Sequence, residues 1–81
     1  KCLMSIDIRN SNSDAILKTS FEMNDAQLIF YNYMGQHIKV IRNLKGYEAG
    51  INIDGMDNGI YLLNIMENRK TICHSKWIGI K

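Results

Sequence analysis

The side chains that could support catalysis are few and scattered along this 81-residue chain. His37 and His74 are the only histidines, and no serine or cysteine lies at a recognisable motif spacing from either. Cys73 and His74 are adjacent, so on a strand their side chains would point to opposite faces and would not act together. The sequence therefore predicts no catalytic residues, and we expect a protein that is not an enzyme.

The other candidates for chemistry each have a structural alternative. Asp54 and Asp57 flank a turn, where they could bind Ca²⁺ or cap the turn with their own side chains. We expect capping, with no metal and no cofactor. Cys2 and Cys73 lie near opposite ends of the chain. They could form a disulfide if the first and last strands are neighbours, or remain free and mostly buried thiols, because the sequence does not fix the spacing that a disulfide needs.

The most informative stretch is a turn signal that runs directly into a strand signal. In Asp57-Asn58-Gly59, the asparagine and the glycine tolerate positive φ, which allows the chain to reverse. From residue 60 to 66 the apolar pattern has period two. Tyr61 lies at the start of this strand, which predicts a tyrosine corner, with the ring inside and the hydroxyl bonded to the backbone of the turn. The alternative is a half-buried strand tyrosine without that hydrogen bond.

Period-two patterns recur along the whole chain and predict an all-β fold. The predicted strands cover residues 2–8, 15–23, 26–33, 37–41, 47–53, 60–66 and 71–80. Turn signals separate them at Asn24-Asp25, at Gly35, at residues 43–46 and at residues 67–70. In the short strand 37–41, we expect Ile38 and Val40 to point inward. About seven strands at this spacing favour a single domain over residues 1–81, an immunoglobulin-like antiparallel β-sandwich.

Charge and hydropathy exclude several classes of protein. The net charge of +2 is too small to indicate nucleic-acid binding. No apolar run approaches the ~20 residues of a membrane helix. The chain starts at Lys1 with no signal-peptide pattern, so we expect a piece of a larger protein or a processed product. Residues 69–81 carry four cations and no carboxylate. This basic segment could meet an acidic partner, or it could supply solubilising charge on an edge strand.

Two blocks of sequence, taken in order, resemble a known family. The first, Tyr31-Asn32-Tyr33-Met34-Gly35-Gln36, is a Tyr-Asn-x-x-Gly-Gln turn at the end of a strand. The second is the Gly-x-Tyr strand from Gly59, closed by Lys76-Trp77-Ile78-Gly79-Ile80-Lys81. Over about residues 15–81 the chain resembles the C-terminal sorting domain (type A) of proteins exported by the bacterial type IX secretion system. It departs from the family where Ser11-Asn12-Ser13 replaces the usual Pro-Asn-Pro element.

The resemblance implies a non-enzymatic secretion signal with an immunoglobulin-like fold at the end of a secreted cargo protein. The implied partners are an outer-membrane translocon, a sortase-like peptidase that removes the domain, and the cargo attached on its N-terminal side. The implied location is the cell surface or the medium, reached through the periplasm of a Gram-negative bacterium. Neither nucleic acid nor membrane insertion is expected.

The resemblance also indicates which residues carry the signal. Those expected to act are Gly59 and Tyr61, by shaping the corner, and Lys76, Ile78, Ile80 and Lys81, by contact. Gly35 and Asn58 are expected to shape turns. The alternative function is an immunoglobulin-like or fibronectin-like accessory or carbohydrate-binding module of a secreted enzyme or adhesin. In that case Tyr31, Tyr33 and Tyr47 would stack on sugars, although such residues are more often cross-strand pairs.

Overall fold

The computed structural model describes residues 2–9 and 13–80, and these residues form an all-β fold. The strands are β1 (Met4–Ile8), β2 (Asp14–Asn32), β3 (His37–Asn52), β4 (Gly59–Glu67) and β5 (Lys70–Gly79). All pairings are antiparallel, and the five strands form one sheet that curls into a half-barrel. The predicted all-β antiparallel class is therefore confirmed.

The long strand β2 is the centre of the sheet. Along one edge it pairs with β3 over almost its whole length. Along the other edge, residues 15–19 pair with β1 and residues 27–32 pair with β4. Strand β5 continues the sheet beyond β4, with Ile60 opposite Ile78 and Tyr61 opposite Trp77. Because β2 bends between its two halves, the sheet closes over its own inner face.

The strand count differs from the prediction, and the immunoglobulin-like sandwich of about seven strands is not confirmed. Two predicted turns lie inside continuous strands. Asp25 has φ +52° within β2, and Asn43 and Gly46 have φ +62° and +79° within β3. The β2–β3 register shifts on both sides of these positions. The turn residues therefore produce β-bulges, which bend a strand without ending it.

The core fills the concave side of the sheet. Its largest fully buried side chains come from β2, from β4 and from the connection that follows β3: Leu17, Met23, Leu28, Phe30, Ile53, Leu63 and Ile65. In β2 and β4 they alternate with more exposed residues, as period-two patterning predicts. No polar or charged side chain in the described part of the chain is buried. Apolar burial therefore holds this domain together.

Two local features tie the ends of strands together. Cys2 and Cys73 form a disulfide with a Cα–Cα distance of 5.8 Å, which decides between the two alternatives for these cysteines. The disulfide joins the chain before β1 to the middle of β5. At the β4–β5 turn, Asn68 and Arg69 have φ +50° and +66°, the conformation of a type I′ hairpin turn. The predicted hairpin over residues 67–70 is therefore confirmed.

Candidate functional site

The corner before β4 is fixed by a side-chain hydrogen bond to the backbone. The Tyr61 hydroxyl donates to the carbonyl oxygen of Asp57 at 2.5 Å. The Tyr61 side chain is buried against the core. The hydrogen bond predicted for a tyrosine corner is therefore present. The left-handed residue of this connection is Gly55, with φ +80°, and neither Asn58 nor Gly59 has positive φ, contrary to our expectation.

The environment of Tyr61 favours the neutral phenol. Burial raises the pKa of Tyr61 above its ordinary value, and the Asp57 carboxylate raises it further. A raised pKa means that the folded state holds the phenol proton more tightly than the unfolded state does. The stabilisation is therefore complete below the unfolded pKa, near pH 10, and is lost as the pH rises through the folded value.

Tyr61→Phe tests this corner. Removing the hydroxyl should lower the free energy of unfolding by about 1–3 kcal/mol at neutral pH, because the Asp57 carbonyl loses its partner. Urea unfolding at pH 7 measures this cost. Repeating it between pH 9 and 11 should show a steeper loss of stability in the wild type than in Tyr61→Phe. Equal stability of the two proteins at every pH would show that the hydroxyl has no structural role.

Tyr61 belongs to a cluster of three aromatic rings on the inner face. The Phe30 ring centroid lies 6.3 Å from that of Tyr61 and 5.9 Å from that of Trp77, in edge-to-face geometry. Tyr61 and Trp77 are cross-strand partners with centroids 5.8 Å apart. The Trp77 ring also covers Gly79, where an added Cβ would lie 2.8 Å from Cη2 of the ring. The cluster anchors β5 to β4 and to the central strand.

The Tyr-Asn-x-x-Gly-Gln block forms a turn organised by one side chain. Asn32 Oδ1 accepts hydrogen bonds from the backbone N–H groups of Met34 and Gln36, both at 3.0 Å. Asn32 Nδ2 donates to Gln36 Oε1 at 2.7 Å. Gly35 has φ +86°, a conformation that favours glycine. These contacts explain why the turn needs asparagine, glycine and glutamine at these positions.

Two of the predicted contact residues, Lys76 and Ile78, lie on the outer side of β5, and a third, Ile80, directly follows the strand. Lys76, Ile78 and Ile80 are all exposed, and Ile78 retains 59% of its accessible surface. Among the described residues, β5 pairs only with β4, although β1 also contacts it and the Cys2–Cys73 disulfide joins its middle to the chain before β1. Lys81 lies outside the described residues, as do Asn12 and the rest of the segment 10–12. The structure thus brings three of the four predicted contact residues together and places Gly59 and Tyr61 on the adjoining strand.

Three residues with a structural role were not singled out from the sequence. Asn32 was recognised only as part of a motif, although its side chain organises the turn between β2 and β3. Trp77 and Gly79 were assigned no role, although the ring of one packs over the backbone of the other. The shared parity of residues 77 and 79 on one strand was the available signal.

The remaining candidates do not form a site. No three His, Cys, Asp or Glu side chains within residues 2–9 and 13–80 are placed to hold a metal ion. Tyr33 and Tyr47 are exposed, but they lie in different halves of the fold: Tyr33 follows the C-terminal end of β2, whereas Tyr47 is near Thr19. The part of the chain that the structure describes contains no helix long and apolar enough to span a membrane.

Comparison with known proteins decides the family. The family described as "Secretion system C-terminal sorting domain" matches residues 11–81. The chain belongs to this family. The sorting domain therefore acts as a C-terminal sorting signal for the type IX secretion system. Membership of this family implies a secreted or cell-surface protein of Bacteroidetes-type bacteria that interacts with the type IX machinery. Neither the curated proteins nor the solved structures provide a match.

Family membership also bears on the other expectations. The sorting-domain family to which the chain belongs is not catalytic. The accessory or carbohydrate-binding alternative is not favoured. The match to the family begins at residue 11, whereas β1 and Cys2 lie before that residue. The folded unit of this chain is therefore longer than the matched region.

Proposed function

We propose that this sorting domain, of type A, is read by the outer-membrane translocon through its last strand. The observation that carries the proposal is the exposure of the C-terminal part of β5, past the disulfide at Cys73. Among the described residues β4 is its one strand partner, and Lys76 and Ile78 on the strand and Ile80 just after it are exposed. An unpaired strand edge offers a row of backbone donors and acceptors to another chain. Strand addition at such an edge is a general mode of peptide recognition. Lys81 continues the same basic and apolar pattern in the sequence.

The corner and turn residues set the position of β5 through the strand that pairs with it. Gly59 and Tyr61 begin the strand on which β5 lies, with Gly59 opposite Gly79 and Tyr61 opposite Trp77. The Tyr61 hydroxyl holds the corner in place. In our proposal Gly59, Asn58 and Gly35 act by shaping the backbone and make no contact with the machinery. Changes at these positions would therefore impair export through the position of β5.

The proposal includes the fate of the cargo. The cargo is attached on the N-terminal side and reaches the periplasm by an ordinary signal peptide. After recognition, a sortase-like peptidase removes the domain, and the cargo is released or retained at the cell surface. The turn at Asn32 and the corner at Tyr61, both built as the resemblance implies, support the assignment to type A.

An export assay tests the role of β5. Residues 1–81, fused to a periplasmic reporter in a bacterium with a working type IX system, should export the reporter, and deletion of residues 76–81 should trap it in the periplasm. Because this deletion also removes Trp77 from the core, a second variant, Lys76→Gln with Ile78→Ser, changes only exposed side chains. Its export should fall about tenfold or more if these residues are contact hot spots. Undiminished export of both variants would exclude the last strand as the signal.

A further inference from the structure

The outer face of the β4–β5 hairpin carries an exposed patch that extends beyond the edge strand. We name it the outer patch, and it consists of the exposed residues Ile60, Leu62, Lys76 and Ile78 and the partly buried Tyr31. Cross-strand pairing places these residues side by side: Ile60 is opposite Ile78, and Leu62 is opposite both Lys76 and Tyr31. The patch therefore crosses three strands, β2, β4 and β5.

The apolar members of this patch are unusually accessible for their type. Ile60 and Leu62 are 48% and 42% exposed. Both have the strand parity opposite to that of Tyr61 and Leu63, which face the core. The fold therefore does not need these two side chains to be apolar. A group of adjacent exposed apolar residues on a small domain marks an interaction site.

The outer patch contains one charged side chain, that of Lys76. Asn64 and His74 form the next row of the sheet on the same face. None of the residues that share these rows is an aspartate or glutamate. Across the whole basic stretch 69–81 there is no carboxylate. An acidic group opposite Lys76 would complement this face, whereas a second copy of the same face would bring two lysines together.

We infer that the outer patch is a second contact surface, which docks on an apolar protein surface of the type IX machinery that bears a carboxylate opposite Lys76. This inference rests on the proposed function and deepens it: the partner contacts the face of the sheet as well as the edge of β5. Ile60 and Leu62 on β4 are then specificity residues, whereas strand addition at the edge of β5 alone gives β4 no contact role. A protein partner is favoured over an anionic membrane because a single lysine supplies only about 1 kcal/mol of attraction to anionic lipid.

Two sets of variants test the outer patch in the reporter assay. Ile60→Thr with Leu62→Thr removes the apolar contact while keeping residues that favour strands. Lys76→Glu reverses the charge and leaves the apolar part intact. Each should lower the exported fraction by about tenfold or more, as expected for central contact residues. The matched control is Leu3→Thr, an equally apolar residue, 62% exposed, that lies before β1 and outside the patch. It should be exported as well as the wild type.

Purified variants separate contact from folding. The urea midpoint and near-ultraviolet spectrum of each variant should match those of the wild type, and the single variants Ile60→Thr and Leu62→Thr keep the test decisive if the double threonine variant does not fold. Normal export of Ile60→Thr/Leu62→Thr, with export still lowered by Lys76→Gln/Ile78→Ser and abolished by deletion of residues 76–81, would overturn the outer patch and leave the proposed function intact. Export after that deletion would overturn both.

Two further experiments test whether a membrane or a second copy of the chain binds the outer patch. Flotation with vesicles of phosphatidylcholine containing phosphatidylglycerol tests a membrane, and sedimentation tests a second copy of the chain. Vesicle binding or dimerisation that the Ile60→Thr/Leu62→Thr variant abolishes would replace the protein partner and overturn the inference. No vesicle binding and a monomer in solution, together with the loss of export, would support it.

Discussion

Replacing the disulfide by Cys2→Ser with Cys73→Ala should lower the free energy of unfolding by about 4 kcal/mol. The two cysteines are 71 residues apart, so the disulfide closes a loop that includes almost the whole chain. A crosslink of this span removes many conformations from the unfolded chain, which is the main source of its stabilisation in the chain-entropy model. Small domains have about 5–15 kcal/mol of stability, so this loss is a large fraction of the total.

Urea unfolding with and without dithiothreitol measures the effect. The wild type should lose the same free energy on reduction as it does by mutation, since both break one bond. The double variant is the control, because dithiothreitol should not change its midpoint. A reduced wild type with an unchanged midpoint would show that packing alone holds β1 against β5, and the predicted contribution would be wrong.

The disulfide also shows what the family match leaves out. Strand β1 pairs with β2 over five residues, and Ile6 is buried in the core. Both features, together with Cys2, lie before residue 11, where the match begins. The crosslink nevertheless reaches Cys73 on β5, the strand that carries the proposed signal. We therefore regard β1 as a structural part of the sorting domain.

Much of this fold could be predicted from the sequence because one face of each strand is apolar. In β2, the apolar side chains of Leu17, Leu28 and Phe30 are all fully buried. The Tyr61 hydrogen bond was predictable because it depends only on a tyrosine near a turn. These features are local, and local spacing is what a single sequence records.

The errors arose where asparagine, aspartate and glycine bend a strand without ending it. Asp25 and Asn43 were assigned to turns, but they adopt positive φ inside β2 and β3. On β3, Ile41 is paired with the buried Leu28, and the bulge between Phe30 and Tyr31 leaves Ile38 out of the β2–β3 register. Ile38, predicted to point inward, is instead 43% exposed. A bulge and a turn use the same residue types, and only the partner strand distinguishes them.

The disulfide and the outer patch could not be predicted for a different reason. Both depend on which strands are neighbours. The Cα–Cα distance of 5.8 Å between Cys2 and Cys73 exists because β2 bends and brings β1 towards β5. The pairing of Ile60 with Ile78 likewise requires the register of the hairpin. Topology of this kind is not encoded in the spacing of residues along one strand.

Phe30→Ala should produce the other large effect, a loss of about 3–5 kcal/mol. The Phe30 side chain has no accessible surface and contacts the rings of both Tyr61 and Trp77. Its removal leaves a cavity under β4 and β5 and breaks two edge-to-face ring contacts. Trp77 is the only tryptophan, so its fluorescence reports directly on this cluster during urea unfolding.

Matched variants separate the cavity from the general effect of losing an aromatic ring. Tyr33→Ala removes a ring that is 78% exposed and should change stability by less than about 0.5 kcal/mol. Phe30→Leu keeps most of the volume and should cost less than about 1.5 kcal/mol. A similar loss for Phe30→Ala and Tyr33→Ala would contradict the placement of Phe30 at the centre of the core.

This core variant also distinguishes two routes to an export defect. Phe30 faces away from the outer patch, so its loss removes no contact that a partner could make. If Phe30→Ala impairs export, it does so because Trp77 and β5 lose their support, and its export defect should follow its loss of stability. Ile60→Thr/Leu62→Thr should impair export without that loss. If the machinery read the signal only as a linear sequence, the Phe30→Ala variant would be exported as well as the wild type.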